Sequence, residues 1–304
     1  MGLKRVVAIT GCDSGLGWAI AARSAREGLI TVAGMHQGTE TKAAKALQNL
    51  CAHPCELDVT NQESVTKFRD FVRKLLQDNP DYRLYAVVNN AGVMTVGDFE
   101  CQTLSIIENT INVNLVGAMR VASVFLADLR RSGLEGFVKP RIINVTSHCG
   151  VQPLPGFAPY SASKAGLLAW TRALKFESRD YGLNAISFIP GGFVTSSNIM
   201  MNQQIQANFM IQSLNEEQKE FYEKKIKSIA EYLKLASNPD ADYNSLKDEN
   251  IIETFMKALL DERPKDLYKV ESWRYMFYYN LLSLPFPEYV RHWLMNKLIR
   301  FPSS

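Results

Sequence analysis

The chain has no stretch of concentrated positive charge. Its 304 residues carry 34 Lys and Arg against 31 Asp and Glu, a formal net charge of +3, with the basic residues spread along the length. A duplex-binding protein gathers its cations on one face, so nucleic acid is not expected as a partner. Cysteine is scarce and odd in number: Cys12, Cys51, Cys55, Cys101 and Cys149. A scattered odd set argues against a disulfide framework and for free thiols in a reducing, intracellular compartment. Cys51-Ala52-His53-Pro54-Cys55 has metal-ligand residue types but no fourth ligand nearby. Tetrahedral zinc wants four, so no metal is expected. Internal repeats, low-complexity tracts and linker-like composition are missing too. No leader or membrane anchor precedes the first strand signal, which leads us to expect a cytoplasmic protein or one resting on an internal membrane.

What is present is an alternation of strand and helix signals from the first residues to about 195. One doubly wound parallel sheet is the economical reading. Arg5 to Thr10 reads as a short buried strand, followed by Thr10-Gly11-Cys12-Asp13-Ser14-Gly15-Leu16-Gly17, a helical stretch Trp18 to Glu27, and a stop at Gly28. A strand, a glycine turn and a helix together place pyrophosphate over a helix N-terminus, where unpaired N–H groups and the positive dipole end meet negative charge. The second strand, Leu29 to Gly34, runs into Met35-His36-Gln37, with no Asp or Glu to hold a ribose 2′-hydroxyl and no Arg to hold a 2′-phosphate. His36 offers only partial positive charge at neutral pH. The balance favours NAD over NADP. Further on, Tyr160-Ser161-Ala162-Ser163-Lys164 puts a phenol and an ammonium on one helix face. A fixed ammonium lowers a phenol's pKa, which suits acid/base work.

With the glycine turn and the Tyr160/Lys164 pair, the chain resembles the short-chain dehydrogenase/reductase family. More matches follow in order: Leu57-Asp58-Val59, Asn89-Asn90-Ala91-Gly92 after the strand Leu84 to Val88, Asn114 in Asn112-Val113-Asn114-Leu115-Val116-Gly117, Ser147 after the strand Arg141 to Val145, and Pro190-Gly191-Gly192-Phe193-Val194-Thr195. The resemblance implies an α/β, Rossmann-type doubly wound parallel sheet with a helical C-terminal substrate lid and tail. It implies one domain over 1–304, with a cofactor-binding and catalytic core at 4–197 and the lid and an aromatic extension at 198–304. It implies Asn114, Ser147, Tyr160 and Lys164 as catalytic residues. Its cofactor-binding residues fall on Thr10, Gly11, Asp13, Ser14, Gly15, Leu16, Gly17, His36, Asp58, Val59, Asn90, Ala91, Gly92, Tyr160, Lys164, Pro190, Gly191, Phe193 and Thr195. The branch it resembles holds retinol dehydrogenases, NAD-using 17β- and 11β-hydroxysteroid dehydrogenases and 3-hydroxybutyrate dehydrogenase.

Beyond Thr195 the sequence changes character. Ile199 to Leu214 is rich in Met and Gln, and Glu216 to Leu235 places Phe221, Ile226, Ile229 and Leu233 on one expected helix face. Met-rich surfaces adapt to irregular apolar ligands. The segment Tyr268 to Phe301 interleaves Trp273, Tyr275, Phe277, Tyr278, Tyr279, Phe286, Tyr289 and Trp293 with Arg274, Arg291, Lys297 and Arg300. That composition suits either peripheral membrane contact or a cover over the pocket, and none of its apolar runs is long enough to span a bilayer. The expected pocket lining is Val93, Met94, His148, Cys149, Val151, Leu154, Pro155, Phe157 and Phe193. Such a lining favours a bulky apolar alcohol or ketone, a hydroxysteroid or retinoid, over a small acid. A 3-hydroxybutyrate-type enzyme is the alternative, and a cofactor-binding sensor or scaffold without turnover is the rival of another class. Relatives pair through the helices after Phe99 and after Tyr160, so a homodimer or homotetramer is expected.

Overall fold

The computed structural model describes residues 2–191, 199, 202–236, 242–271, 273–282 and 284–298. In chain order the elements are β1 (Lys4–Ile9), α1 (Gly15–Arg26), β2 (Ile30–Met35), α2 (Lys42–Gln48), β3 (His53–Glu56), α3 (Gln62–Asp78), β4 (Tyr82–Asn89), α4 (Leu104–Ile111), α5 (Ala118–Leu134), β5 (Arg141–Val145), α6 (Ala158–Glu177) and β6 (Asn184–Ile189). There follow α7 (Gln203–Ser213), α8 (Glu216–Ala236), α9 (Glu249–Leu260), β7 (Leu267–Lys269), α10 (Trp273–Leu282) and α11 (Glu288–Leu298). The strands form one sheet in the order β3-β2-β1-β4-β5-β6-β7, every pairing parallel. Strand order reverses between β1 and β4, which opens a crevice at the carboxyl ends there.

The pleat sends alternate side chains to opposite faces. Val7 and Ile9 of β1 pack with Trp18, Ile20 and Ala21 of α1, Leu47 of α2 and Phe255 and Leu259 of α9. Val6 and Ala8 pack with Phe68 and Val72 of α3 and Phe125 and Leu129 of α5. Both faces are covered, and this explains the near-continuous apolar strands. A bulge interrupts the β1/β4 ladder, where Val6 faces Leu84 but Val7 faces Ala86, so Tyr85 is the extra residue. The Tyr85 ring lies against the guanidinium of fully buried Arg141, 4.7 Å from ring centroid to Cζ, and the Tyr85 hydroxyl donates to the Leu259 carbonyl at 2.6 Å. Arg141 itself donates to the carbonyls of Ala258 (3.0 Å) and Asp261 (3.2 Å). A buried cation is thus met by the negative end of α9 rather than by a carboxylate.

Leu104–Leu134 is a continuous helical rod of 31 residues, long and apolar enough by composition to cross a membrane. Its apolarity has a local cause, since Val121, Ala122, Phe125 and Leu129 are buried against the sheet. On α8, Ile226, Ile229 and Leu233 are buried as expected, but Phe221 is 76% exposed. Tyr222 takes the inner position instead, packing with Ile226 and Ala230. The steps 222, 226, 229, 233 follow the helical repeat of three and four, whereas 221 to 226 does not. His53 and Pro54 lie in β3 at the sheet edge, where a proline costs no ladder bond.

Candidate active site

The glycine turn is built by close approach. Gly11 (φ +69°) and Gly15 (φ +57°) hold left-handed conformations that favour glycine. A Cβ on Gly17 would stand 2.0 Å from the Gly11 carbonyl oxygen and 2.4 Å from the Asn90 amide nitrogen, and one on Gly11 would stand 2.8 Å from Ala91 Cα. The Thr10 hydroxyl accepts from the N–H groups of Asn90 and Ala91, both at 3.0 Å. Asn90 returns its side-chain amide to the carbonyls of Thr10 and Gly11, also at 3.0 Å. The turn and the Asn90-Ala91-Gly92 loop therefore form one bonded unit across the β1/β4 switch point. Ser14, extended at the start of α1, makes no side-chain cap bond, and Leu16 beside it is buried. A helix start without a side-chain cap, above a floor where no Cβ fits, suits a dinucleotide's pyrophosphate.

Asp13 turns away from that floor. Its two carboxylate oxygens accept from the N–H groups of His36 (2.9 Å) and Gln37 (2.8 Å), just past β2. Asp58 accepts from the Thr60 N–H (2.8 Å) and O–H (2.7 Å). Burial pushes the Asp58 carboxyl up, but those bonds, with His36 and Arg120 nearby, outweigh it and hold it below its usual value. Val59 is buried, its carbonyl accepts from Arg120, and its side chain fills the space where Gly117 would carry a Cβ.

Between α4 and α5 the rod widens into a π-helical segment, Asn112–Gly117. Such a widening re-aims one side chain, and here it is Asn114. Asn114 accepts from the Val93 N–H (2.8 Å) and donates to the Val93 carbonyl (2.9 Å) and to the Ser163 hydroxyl (3.1 Å). It clasps the loop after β4 onto α6. Ser147 follows the end of β5, and its hydroxyl accepts from the Cys149 N–H at 3.2 Å. Tyr160, in the first turn of α6, is buried, with the Ser147 hydroxyl near enough to favour its ionised form. Lys164, one turn on, is 4% exposed and donates to the Val145 carbonyl at 2.8 Å, with Nζ 5.8 Å from the Tyr160 ring centroid. Gly92 borders the same spot, since a Cβ there would lie 3.6 Å from that Nζ.

The expected acidification of the phenol by Lys164 does not appear in this geometry. Burial dominates, pushing the Tyr160 phenol well above its usual value, with Cys149 adding to the rise and Ser147 opposing it. Burial also lowers the Lys164 ammonium to about 8. The ammonium spends its bond on Val145, a floor carbonyl, rather than on the phenol oxygen. What converges is a protonated phenol, the Ser147 hydroxyl beside it and a depressed ammonium, a set able to exchange a proton with an alcohol or carbonyl oxygen seated among them.

Around this cluster, Met94 and Phe157 pack with Val96, Ile229, Leu233 and Ile199, and Leu154 packs with Leu282 and Leu294 of the tail. The lid helix α7 is pinned by Gln203, whose amide accepts from the Val96 N–H (2.9 Å) and donates to its carbonyl (2.7 Å). Val151 is 59% exposed. His148, expected in the pocket lining, is held against the tail helix. It stacks on Tyr279 of α10, 4.9 Å apart and 12° from parallel, and lies 3.8 Å from Glu271. Pro190 is buried, and Gly191 (φ +79°) sits where a Cβ would be 2.7 Å from the Val270 carbonyl. Phe193 and Thr195 lie outside the described residues. The links that residue order could not supply are Gln203 to Val96, His148 to Tyr279 and Asp13 to the end of β2.

The profile of the short chain dehydrogenase family matches residues 5–206. The chain is 31% identical over 207 residues to the mitochondrial D-beta-hydroxybutyrate dehydrogenase of Mus musculus, covering 67% of this chain and 58% of that protein. It is 32% identical over 247 residues to estradiol 17-beta-dehydrogenase 2 of Mus musculus, covering 78% of this chain and 62% of that protein. The chain therefore spans about three fifths of the length of these relatives. A solved short-chain dehydrogenase from Streptomyces avermitilis shares the fold, with a TM-score of 0.68 at 20% identity over 97% of this chain and 96% of that one. Members of this family work with nicotinamide cofactors. The chain belongs to the short-chain dehydrogenase family.

Proposed function

We propose that the chain transfers hydride between NAD and the alcohol or ketone of a bulky apolar substrate, a hydroxysteroid or retinoid. The observation that carries this reading is the buried cluster of Ser147, Tyr160 and Lys164, set beside a glycine floor that no Cβ could occupy. When bound, the nicotinamide supplies the hydride acceptor or donor. Thr10, Gly11, Ser14, Gly15, Leu16 and Gly17, with Asn90, Ala91 and Gly92, would hold the dinucleotide, and Asp58 and Val59 would border its adenine. Pro190, Gly191, Phe193 and Thr195 would border its carboxamide. Tyr160 gives or takes the proton at the substrate oxygen. Ser147 donates to that oxygen and stabilises its developing charge. Lys164 supplies positive charge beneath the phenol, and Asn114 holds the loop on which Gly92 approaches it.

The side chains gathered by Met94, Val96, Phe157, Ile229 and Leu233 are apolar, which supports a large apolar substrate over a small carboxylate that would want a cation. The test is reduction of NAD and NADP, in parallel, by a panel of a hydroxysteroid, retinol and 3-hydroxybutyrate. Turnover strongest with the hydroxysteroid or retinol is expected. Preference for 3-hydroxybutyrate would move the substrate to the small acids, and dinucleotide binding without any turnover would make the chain a sensor.

The tail does two things at once. Its inner face covers Leu154, while Trp273, Phe277, Tyr289 and Trp293 point outward at 55–76% exposure, with Lys297 against Trp293. This supports peripheral contact with an anionic membrane, to be checked by sedimentation with anionic liposomes at low salt, where no retention would end the idea. Leu104, Val116 and Phe176, exposed on the rod and on α6, support pairing of two copies through these helices, which sedimentation velocity would detect.

A further inference from the structure

Strand β2 ends without the residue that reads a dinucleotide's ribose. After Met35 come His36 and Gln37, neither an acid nor a fixed cation. Yet the corner is not without an acid. The first loop is tied to β2 by the Cys12 N–H, which donates to the Gly34 carbonyl at 2.9 Å. The next residue, Asp13, then lays its carboxylate across the N–H groups of His36 and Gln37 at 2.9 and 2.8 Å. In doubly wound dinucleotide folds, the end of the second strand is where the adenosine ribose is recognised. We infer that Asp13, reaching that corner from the glycine turn, is the residue that selects a dinucleotide with a free 2′-hydroxyl over one with a 2′-phosphate. The inference rests on the dinucleotide site proposed above and names the source of its preference.

The chemistry is one of donors and charge. Each carboxylate oxygen accepts one backbone N–H and keeps a lone pair for a ribose hydroxyl, but an ionised carboxylate has no proton to offer a phosphate. A 2′-phosphate would bring two negative charges against a third, fixed in place by two bonds. Among the described residues, the other titratable groups near this corner include the His36 ring, the Cys12 thiol, which burial and Asp13 push up, and Asp58, which is itself held ionised by Thr60. The nearby guanidinium, Arg120, is engaged by the Val59 carbonyl and the Asn112 side chain. Repulsion therefore outweighs attraction for the phosphorylated cofactor.

The experiment measures binding, not turnover, by titrating NAD and NADP calorimetrically into the full chain and its variants. Asp13→Asn keeps an oxygen for one of the two N–H bonds while removing the charge. The ratio of NADP to NAD dissociation constants is expected to fall about tenfold or more in this variant. In the wild type that ratio is expected to shrink as salt is raised. Asp13→Asn combined with Gln37→Arg is expected to invert the preference. An unchanged ratio in Asp13→Asn, with both dinucleotides still bound, would make Asp13 a staple only and overturn the inference while sparing the site. Failure of the wild type to bind either dinucleotide would remove the site reading and the inference with it. Should Asp13→Asn not fold by circular dichroism, Gln37→Arg alone decides, since its backbone N–H still reaches the carboxylate. The preference is then expected to stay with NAD, and full inversion with Asp13 in place would overturn the inference.

Discussion

The sheet-borne region, which runs to Gly191 and takes in α9 and β7, and the helices α7, α8, α10 and α11 are held by different means. In the first, the proposed site residues Thr10, Asn90 and Ser147 follow strand ends in a continuous parallel ladder, and their neighbours are fixed by backbone bonds such as Thr146 N–H to the Phe188 carbonyl at 2.8 Å. In the second, the helices meet the core through side chains alone: the apolar clusters around Val96 and Leu154, and polar or ring contacts such as Gln203 on Val96, Tyr222 on Glu100 at 2.8 Å, and Tyr279 on His148. The ladder fixes the proposed reaction centre, whereas side-chain contacts leave the proposed cover more adjustable. Under the proposed function, chemistry and substrate choice should separate by mutation.

The largest test of that separation is Tyr160→Phe. Turnover should fall by about a thousandfold or more with dinucleotide affinity kept, and a Phe variant that remains active would end the assignment. On the other side of the divide, Gln203→Ala leaves both backbone groups of buried Val96 without their partner. Unmet buried groups cost about 1–3 kcal/mol. We expect KM for the apolar substrate to rise about tenfold, with dinucleotide affinity unchanged; equal loss in both would show that lid and core are one unit.

Lys164→Met sharpens the contrast through stability. The ammonium titrates at about 8 in the fold against 10.5 for a free lysine. The folded chain thus binds fewer protons than the unfolded one between those values, and stability rises with pH across that window. Below it the wild type carries a penalised charge. In the chain without cofactor, Lys164→Met should therefore abolish turnover yet raise stability at neutral pH by about 1–3 kcal/mol, with the gain fading towards pH 10.5. Denaturation followed at several pH values would show it, and a gain that grows with pH would contradict the burial argument. The smallest effect belongs to exposed Phe221, where Phe221→Ser should change stability by less than about 0.5 kcal/mol in a melting experiment.

The same divide governs what could be read from residue order. The strand expected at Arg141 to Val145 is β5 to the residue, and those expected at Arg5 to Thr10, Leu29 to Gly34 and Leu84 to Val88 shift by one or two positions, because buried parallel strands announce themselves as apolar runs. Tyr160, Lys164 and Ser147 were legible because helix pitch and strand ends are local facts. Asp13 is named by the family motif, but its bonds to His36 and Gln37 were not legible, since those partners lie 23 and 24 positions away and only the fold brings them near. The partners of His148 were not legible, because a 3-10 turn over His148–Gly150 brings it to Val270 and Tyr279, more than a hundred residues on. Phe221 misled because aromatic character was given more weight than phase. The π-helical widening at Asn114 has no composition signal at all.

Arg141 has a consequence for how the molecule opens. Its guanidinium joins the first residue of the strand that leads to Ser147 to the last carbonyls of α9, more than a hundred residues later. Neither partner can leave without stranding a charge in hydrocarbon. Amide protons of β5 and α9 should thus exchange with solvent in a single cooperative event, and a chain cut short before Ala258 would not keep its reactive strand, though every proposed proton-handling residue precedes the cut.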